Sequence, residues 1–242
     1  MEEYNIFENV RGLFFDFDGT LVDFDTNSKV ALNKVAEEIY NYIIENQNNE
    51  KKLKLDDVKN VVFEVAEKLD QDGVFERNYW WEEVMKKLGV KYERNQIYEF
   101  SSLYWSIASD NIPFDDAIEL IRYLKRKNLK LGIITNSDGE VGNKRRRLER
   151  FPLISSFDVI IIAGEGGIRP KPYPEPFILG CEKLGLKINE CAMIGDDPVK
   201  DCLAAKRVGM VSVLIDRYNK IKFAELYADL VIKNLVELEE FF

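Results

Sequence analysis

Histidine is missing from all 242 residues. Its absence removes Ser-His-Asp and Cys-His nucleophilic machinery and every imidazole metal site. Acid–base chemistry near neutral pH then falls to carboxylates, lysine, tyrosine or metal-bound water. Cysteine is scarce as well: Cys181, Cys191 and Cys202 are odd in number and show no Cys-x-x-Cys spacing, which argues against a disulfide framework or a thiolate zinc site. They read as small buried side chains. No apolar run approaches the length of a membrane span, and Met1-Glu2-Glu3 lacks the basic-then-apolar pattern of a secretory signal. The expectation is a soluble, cytoplasmic protein with no membrane partner. Positive charge is in deficit: the net charge of -9 argues against nonspecific nucleic-acid binding, because phosphate backbones would be repelled over most of the surface. An anionic substrate therefore needs a locally positive site.

What is present is enough apolar material, 46% of the residues, for a sizeable core in one domain or two modest ones. The most informative segment is Leu13-Phe14-Phe15-Asp16-Phe17-Asp18-Gly19-Thr20-Leu21. Residues two apart on a strand project to the same side, so Asp16 and Asp18 converge where the strand ends, and Gly19 lets the backbone bend sharply. Carboxylates crowded after a buried strand repel and desolvate one another, so the arrangement calls for a shared cation or proton. Asp-x-Asp recurs at Asp23/Asp25 and Asp70/Asp72. Neither copy follows a hydrophobic strand and precedes Gly-Thr, and capping or solvation accounts for both.

Downstream, apolar residues recur three or four apart: Leu32, Val35, Ala36, Ile39 and Ile43, with Asn27 or Ser28 as the cap. After the polar break 46–52 a second stripe runs through Val58, Val61, Val62, Val65, Ala66 and Leu69 to the turn Gln71-Asp72-Gly73. Trp81, Val84, Met85 and Leu88 form a third, which Gly89 can terminate, and Ile97, Phe100, Tyr104 and Ile107 a fourth. Beyond Pro113 the rhythm changes to alternating helix and strand, with strands expected at 129–134, 159–162, 192–194, 211–215 and 230–232. That alternation predicts an α/β core with a mostly parallel sheet covered on both faces, whose ligand sits beyond the carboxyl ends of the strands. The polar residues following the strands should then gather at one edge: Asp16 and Asp18, Thr135-Asn136-Ser137, and Gly195-Asp196-Asp197. Between the last two lies a proline-rich loop containing Lys171.

Taken together, Asp16-Phe17-Asp18-Gly19-Thr20, Thr135-Asn136, Lys171 and Gly195-Asp196-Asp197-Pro198-Val199-Lys200-Asp201 resemble the haloacid dehalogenase superfamily, in its Mg-dependent phosphatase branch. The likeness covers essentially the whole chain. It implies a Rossmann-like α/β core over 1–22 and 113–242, with an all-helical cap domain inserted over 23–112. It further implies that Asp16 is the nucleophile, forming an aspartyl-phosphate, and that Asp18 protonates the leaving alcohol and then activates water, with a pKa raised by partial burial. Mg2+ would be held by Asp16, the backbone carbonyl of Asp18, and Asp196. Thr135, Asn136 and Lys171 would clamp the substrate phosphate, supported by Gly19 and Thr20. An acid of the last motif orients Lys171, and Asp197 and Asp201 are both open for that role.

Other segments carry less. Gly164-Glu165-Gly166-Gly167 lacks dinucleotide spacing. Arg145-Arg146-Arg147 reads as the solvated face of a helix. Tyr79, Trp80 and Trp81 read as cap core, with Arg77, Asn78 and Trp80 as candidate contacts to the leaving group. The expected activity is hydrolysis of a small phosphorylated metabolite. The alternatives are a 2-haloacid dehalogenase or a phosphomutase on the same fold, or a noncatalytic phosphate-binding module; monomer and homodimer are both open.

Overall fold

The computed structural model describes residues 5–47 and 52–242. The chain folds as two compact units, one formed by the residues up to Asp23, Ile112–Ser137 and Lys144–Phe242, the other by Phe24–Asn111 with Asp138–Asn143.

The first unit is built on six parallel strands: β1 (Gly12–Phe15), β2 (Lys130–Asn136), β3 (Val159–Ala163), β4 (Cys191–Gly195), β5 (Val211–Ile215) and β6 (Leu230–Ile232). Their spatial order is β3-β2-β1-β4-β5-β6, the doubly wound arrangement in which the strand order reverses beside β1. Every residue of β1 and β4 is buried, as in a parallel sheet with both faces covered. Alternation along the strands divides the core. Leu13 and Phe15 pack on one face with Ile133, Ile194 and Val213, while Phe14 points to the other with Ile134, Ile161 and Met193. Helix α5 (Asp115–Arg126) covers the first face through Ala117, Leu120, Ile121 and Leu124, residues spaced for one helical stripe. Helices α7 (Glu175–Leu184) and α8 (Ala204–Val208) cover the second through Phe177, Cys181, Ala204 and Ala205. Each of the three cysteines is a buried free thiol.

Register sets the geometry of the sheet edge. Phe15 is level with Ile133 of β2 and Ile194 of β4, and the Asp16 amide donates to the Ile194 carbonyl at 2.9 Å. Asp16 is therefore level with Ile134 of β2 and with Gly195 of β4, and Thr135 lies one residue further out along β2.

The second unit contains α1 (Phe24–Gln47), α2 (Leu55–Gln71), α3 (Arg77–Leu88) and α4 (Arg94–Ala108). The anticipated stripes form its core: Val35, Ile39, Val58, Val62, Trp81, Val84, Phe100 and Tyr104 are buried together. Gly89 ends α3 in the left-handed conformation, where the lack of a Cβ removes the steric cost. Helix α1 begins earlier than the polar residues suggested. Asn27 and Ser28 lie within it, and their side chains turn to the Asp110 carbonyl and to the Tyr104 hydroxyl, 2.8 Å away in the second case. The polar break at 46–52 lies largely outside the described residues. No helix among the described residues is long and apolar enough to cross a membrane.

Candidate active site

The carboxyl edge of β1, β2 and β4 carries the predicted acids, and a single cation organises them. Lys171, from the loop after β3, is 5% exposed. Its Nζ donates to Asp16 Oδ1 at 2.8 Å, to Asp201 Oδ1 at 2.6 Å and to the Ile134 carbonyl at 3.0 Å. All three ammonium donors are thereby used. Burial by itself would lower the Lys171 pKa, but Asp16 and then Asp201 outweigh it and hold the ammonium above its ordinary value. The Lys171 backbone is fixed as well: its amide donates to Asn136 Oδ1 at 2.8 Å and its carbonyl accepts from Asn136 Nδ2 at 3.3 Å. Asn136 thus spends its side chain on pinning the lysine loop beside β2. Thr135 precedes it and is buried.

The choice between Asp197 and Asp201 is settled at the level of contact. After β4 the chain enters a wide helical turn, Pro198–Leu203, that runs into α8. Asp197 caps this turn, its Oδ1 accepting from the Val199 and Lys200 amides at 2.8 and 2.7 Å, which satisfies donors that a helix start leaves open. Asp201 points inward, 1% exposed, and is the partner of Lys171. Burial raises the Asp201 carboxyl, Lys171 opposes that, and Asp16 and Asp197 add to it, so that the group is pushed up to about 7. Asp196 is raised well above the carboxylate range, first by burial and then by Asp16, Asp201 and Asp197.

One carboxylate oxygen each from Asp16, Asp196 and Asp201 lies within 4.8 Å of the others. An all-oxygen donor set so closely spaced fits a hard divalent cation, which would relieve the crowding. Asp201 is already committed to Lys171 and to the Asp197 amide, so Asp16 and Asp196 are the freer donors. Backbone at two glycines makes room for this cluster. Gly19 has φ +78°, and a Cβ there would lie 2.2 Å from Asp196 Oδ2; at Gly195 it would lie 2.2 Å from Asp201 Oδ2. Thr20, fully buried, donates its hydroxyl to Asp196 Oδ1 at 3.3 Å.

Asp18 departs from expectation. Its carboxylate is gripped by Arg147, with Nη1 at 3.1 Å from Oδ2 and Nη2 on Oδ1, and by Lys144 Nζ on Oδ2. Burial would raise its pKa as anticipated, but Arg147 and then Lys144 outweigh burial and hold the carboxyl well below its ordinary range. The reading of Arg145-Arg146-Arg147 as one solvated face is likewise corrected. On α6 (Asn143–Glu149), Arg145 and Arg146 are exposed while Lys144 and Arg147 are 3% and 1% exposed. The signal was in the spacing. Lys144, Arg147, Leu148 and Phe151 fall at i, i+3, i+4 and i+7, a buried stripe in which two of the four residues happen to be cationic.

Among the proposed cap contacts, Arg77 is buried with its guanidinium 3.7 Å above the Trp80 ring and Nη1 on the Phe75 carbonyl at 2.7 Å. Trp80 Nε1 donates to the Val74 carbonyl at 2.6 Å, and Asn78 Oδ1 accepts from Ser101 at 2.6 Å. All three are thus engaged inside the helical unit.

A carboxylate just past the end of β1, an ammonium across from it and a second carboxylate just past β4 lie together at the carboxyl edge of a doubly wound sheet. Residues 10–209 match the haloacid dehalogenase-like hydrolases, and the chain belongs to that family. It is 28% identical over 236 residues, 95% of each chain, to the glyceraldehyde 3-phosphate phosphatase of Methanocaldococcus jannaschii. It is 30% identical over 125 residues to the phosphoserine phosphatase of Thermus thermophilus, a match covering 52% of this chain and 49% of that one. In fold it is similar to a HAD phosphatase from Thermococcus onnurineus, with a TM-score of 0.66 at 24% identity over 96% of this chain and 97% of that one.

Proposed function

We propose that the protein is a Mg2+-dependent, cytoplasmic phosphomonoester hydrolase that works on a small phosphorylated metabolite through an aspartyl-phosphate on Asp16. The observation that carries this reading is the Lys171 ammonium held between Asp16 and Asp201. It neutralises the nucleophile's surroundings enough for a phosphate dianion to approach. Asp16 Oδ attacks phosphorus in line with the ester oxygen, which leaves as the alcohol. Lys171, trading its bond to Asp16 for one to the phosphate, and the Thr135 hydroxyl bind the phosphoryl oxygens, and Asn136 keeps Lys171 in place. Asp16, Asp196 and the Asp18 carbonyl would hold Mg2+, which would supply charge neutralisation at the phosphoryl group.

Asp18 is the residue that moves protons: once released from Arg147 and Lys144 it takes up a proton from solvent and gives it to the leaving oxygen, and the carboxylate so formed takes one from the water that opens the acyl phosphate. Its grip on Arg147 and Lys144 occupies both carboxylate oxygens, so it must loosen that grip to work. The helical unit, residues 23–112, serves as the cap that limits water during transfer, with Arg77, Asn78 and Trp80 as its candidate contacts to the leaving group once they exchange their present partners. Such a cap suits metabolites better than proteins or nucleic acids.

The test is phosphate release from a panel of phosphomonoesters, with and without Mg2+, alongside halide release from a 2-haloacid. Expected are Mg2+-dependent phosphate release and its loss in Asp16→Asn. Activity persisting in Asp16→Asn would remove the nucleophile assignment, and halide release without phosphate release would make the protein a dehalogenase.

A further inference from the structure

The turn that follows β1 closes on itself: the Leu21 and Val22 amides donate to the Phe17 carbonyl at 2.9 and 3.1 Å, and the Gly19 amide donates to the Val22 carbonyl at 2.9 Å. Within it Thr20 faces two ways. Its hydroxyl goes to Asp196, and its carbonyl accepts from Arg217 Nη2 at 2.9 Å. Arg217 lies two residues past β5, with its guanidinium 3.8 Å from the centre of the Phe114 ring and Nη1 on Asp116 Oδ2 at 2.6 Å. Asp116, in the first turn of α5, also accepts from the Leu235 amide at 2.8 Å.

Stability alone would select a different pairing. An arginine and an aspartate bind most strongly with two nitrogens on the two oxygens. Here the second nitrogen is turned to the Thr20 carbonyl, and Asp116 Oδ1 and Arg217 Nε stay buried without a hydrogen-bond partner, which costs free energy. What the arrangement secures is a fixed Thr20 peptide.

We propose that Arg217, held by Asp116, is a positioning residue for the reaction: through the Thr20 peptide it sets the Asp196 carboxylate and the turn that carries the Asp18 carbonyl, two of the oxygen donors proposed for Mg2+. The inference rests on the Mg2+-dependent phosphatase reading and adds to it a residue that touches neither substrate nor metal. Without the clamp the Thr20 peptide is free to rotate and its hydroxyl to leave Asp196. Mg2+ demands near-ideal ligand geometry, so the loosened donors bind it less tightly.

The test uses Arg217→Lys, which keeps a charge for Asp116 and loses the second arm, and Arg217→Met. Tyr123→Phe is the control, because it removes a bond to the Glu239 carbonyl and loosens the C-terminal segment without touching Thr20. Mg2+ affinity is read without turnover by titration calorimetry, and KM by phosphate release at saturating Mg2+. In both Arg217 variants the Kd for Mg2+ should rise about three- to tenfold, below the range for a direct partner of a ligand. KM for the ester should stay within about twofold, since the phosphate is clamped from β2 and the loop after β3, and Tyr123→Phe should match the unaltered protein. A Kd within about twofold of the unaltered value in both Arg217 variants, or an equal rise in Tyr123→Phe, would make Arg217 a structural clamp only and leave the phosphatase intact. Should Arg217→Met fail to fold, Arg217→Lys and Asp116→Asn, which keep a polar group at each position, decide by the same affinities. Absence of phosphate release from every ester in the unaltered protein would remove the phosphatase reading and this role together.

Discussion

The Lys171 ammonium lies 2.8 Å from Asp16 Oδ1 across 155 residues of sequence. The contact exists because β1 sits between β2 and β4, so the loop after β3 and the turn after β4 can both reach over its end. Asp16 thereby faces a fixed positive charge.

This pairing predicts strong energetic coupling. Lys171→Met in metal-free protein leaves Asp16 and Asp201 buried without their cation, and should cost about 3–5 kcal/mol. Asp201→Leu alone should also destabilise, because it strips Lys171 of one acid. The double variant should cost less than the sum, with a coupling energy of about 1–3 kcal/mol. Urea unfolding of the four proteins measures this, and strict additivity would show that the short Lys171–Asp201 contact carries no net energy.

Asn136 makes a different prediction, because its side chain touches the lysine's backbone rather than its charge. Asn136→Ala should lower stability by about 1–3 kcal/mol, the cost of unpairing buried backbone groups, and lower kcat by letting Lys171 drift. A raised KM for phosphate esters with an unchanged melting temperature would instead mean that the side chain serves the phosphate directly.

The sequence carried these relationships unevenly. Apolar runs such as Leu13–Phe15 and stripes such as Val58, Val62, Val65 announce themselves because burial imposes a period of two or of 3.6, and Asp16 is legible because a strand must end before such a pair. The partner of Lys171 was not legible. Asp197 and Asp201 share a helical face in an ordinary α-helix, and the wide turn at Pro198–Leu203, which makes one a cap and the other a buried acid, leaves no periodic trace. The state of Asp18 was hidden for another reason. Burial was anticipated, but the cations that outweigh it enter 126 and 129 residues later, inside a basic run whose two buried members differ from their exposed neighbours only by register with Leu148 and Phe151.

Gly19 predicts a local failure with a specific readout. At φ +78° any side chain is strained, by about 1–2 kcal/mol in the left-handed region, and a Cβ would meet Asp196 Oδ2 at 2.2 Å. Gly19→Ala should therefore displace the Asp196 carboxylate. The expected result is a rise in the Mg2+ concentration needed for half-maximal activity, larger than the small fall in melting temperature would explain. Unchanged Mg2+ dependence would show that Asp196 yields without leaving its place.

The crowded acids also fix how stability should vary with pH. In metal-free protein the folded-state pKa of Asp201 is about 7 and that of Asp196 is raised too, against 3.8 for an ordinary aspartate. Between those limits the folded protein binds protons that the unfolded chain has released, so stability falls as pH rises, by up to about 1.4 kcal/mol per pH unit for each proton. The two charged neighbours with shifts of their own, Asp18 and Lys171, are silent in this window. Asp18 is depressed in the folded state, so its contribution is complete above 3.8 and is lost only at lower pH. Lys171 is raised, so its contribution is complete below 10.5 and is lost only as pH climbs past its folded value. A divalent cation held by Asp16 and Asp196 would relieve the same crowding. Melting temperatures in chelator should therefore drop from about pH 5 to about pH 8, and MgCl2 should restore more at the higher pH than at the lower. A chelator profile flat across that range, or equal gains from MgCl2 at both ends, would show that the three carboxylates are not electrostatically crowded in the folded protein.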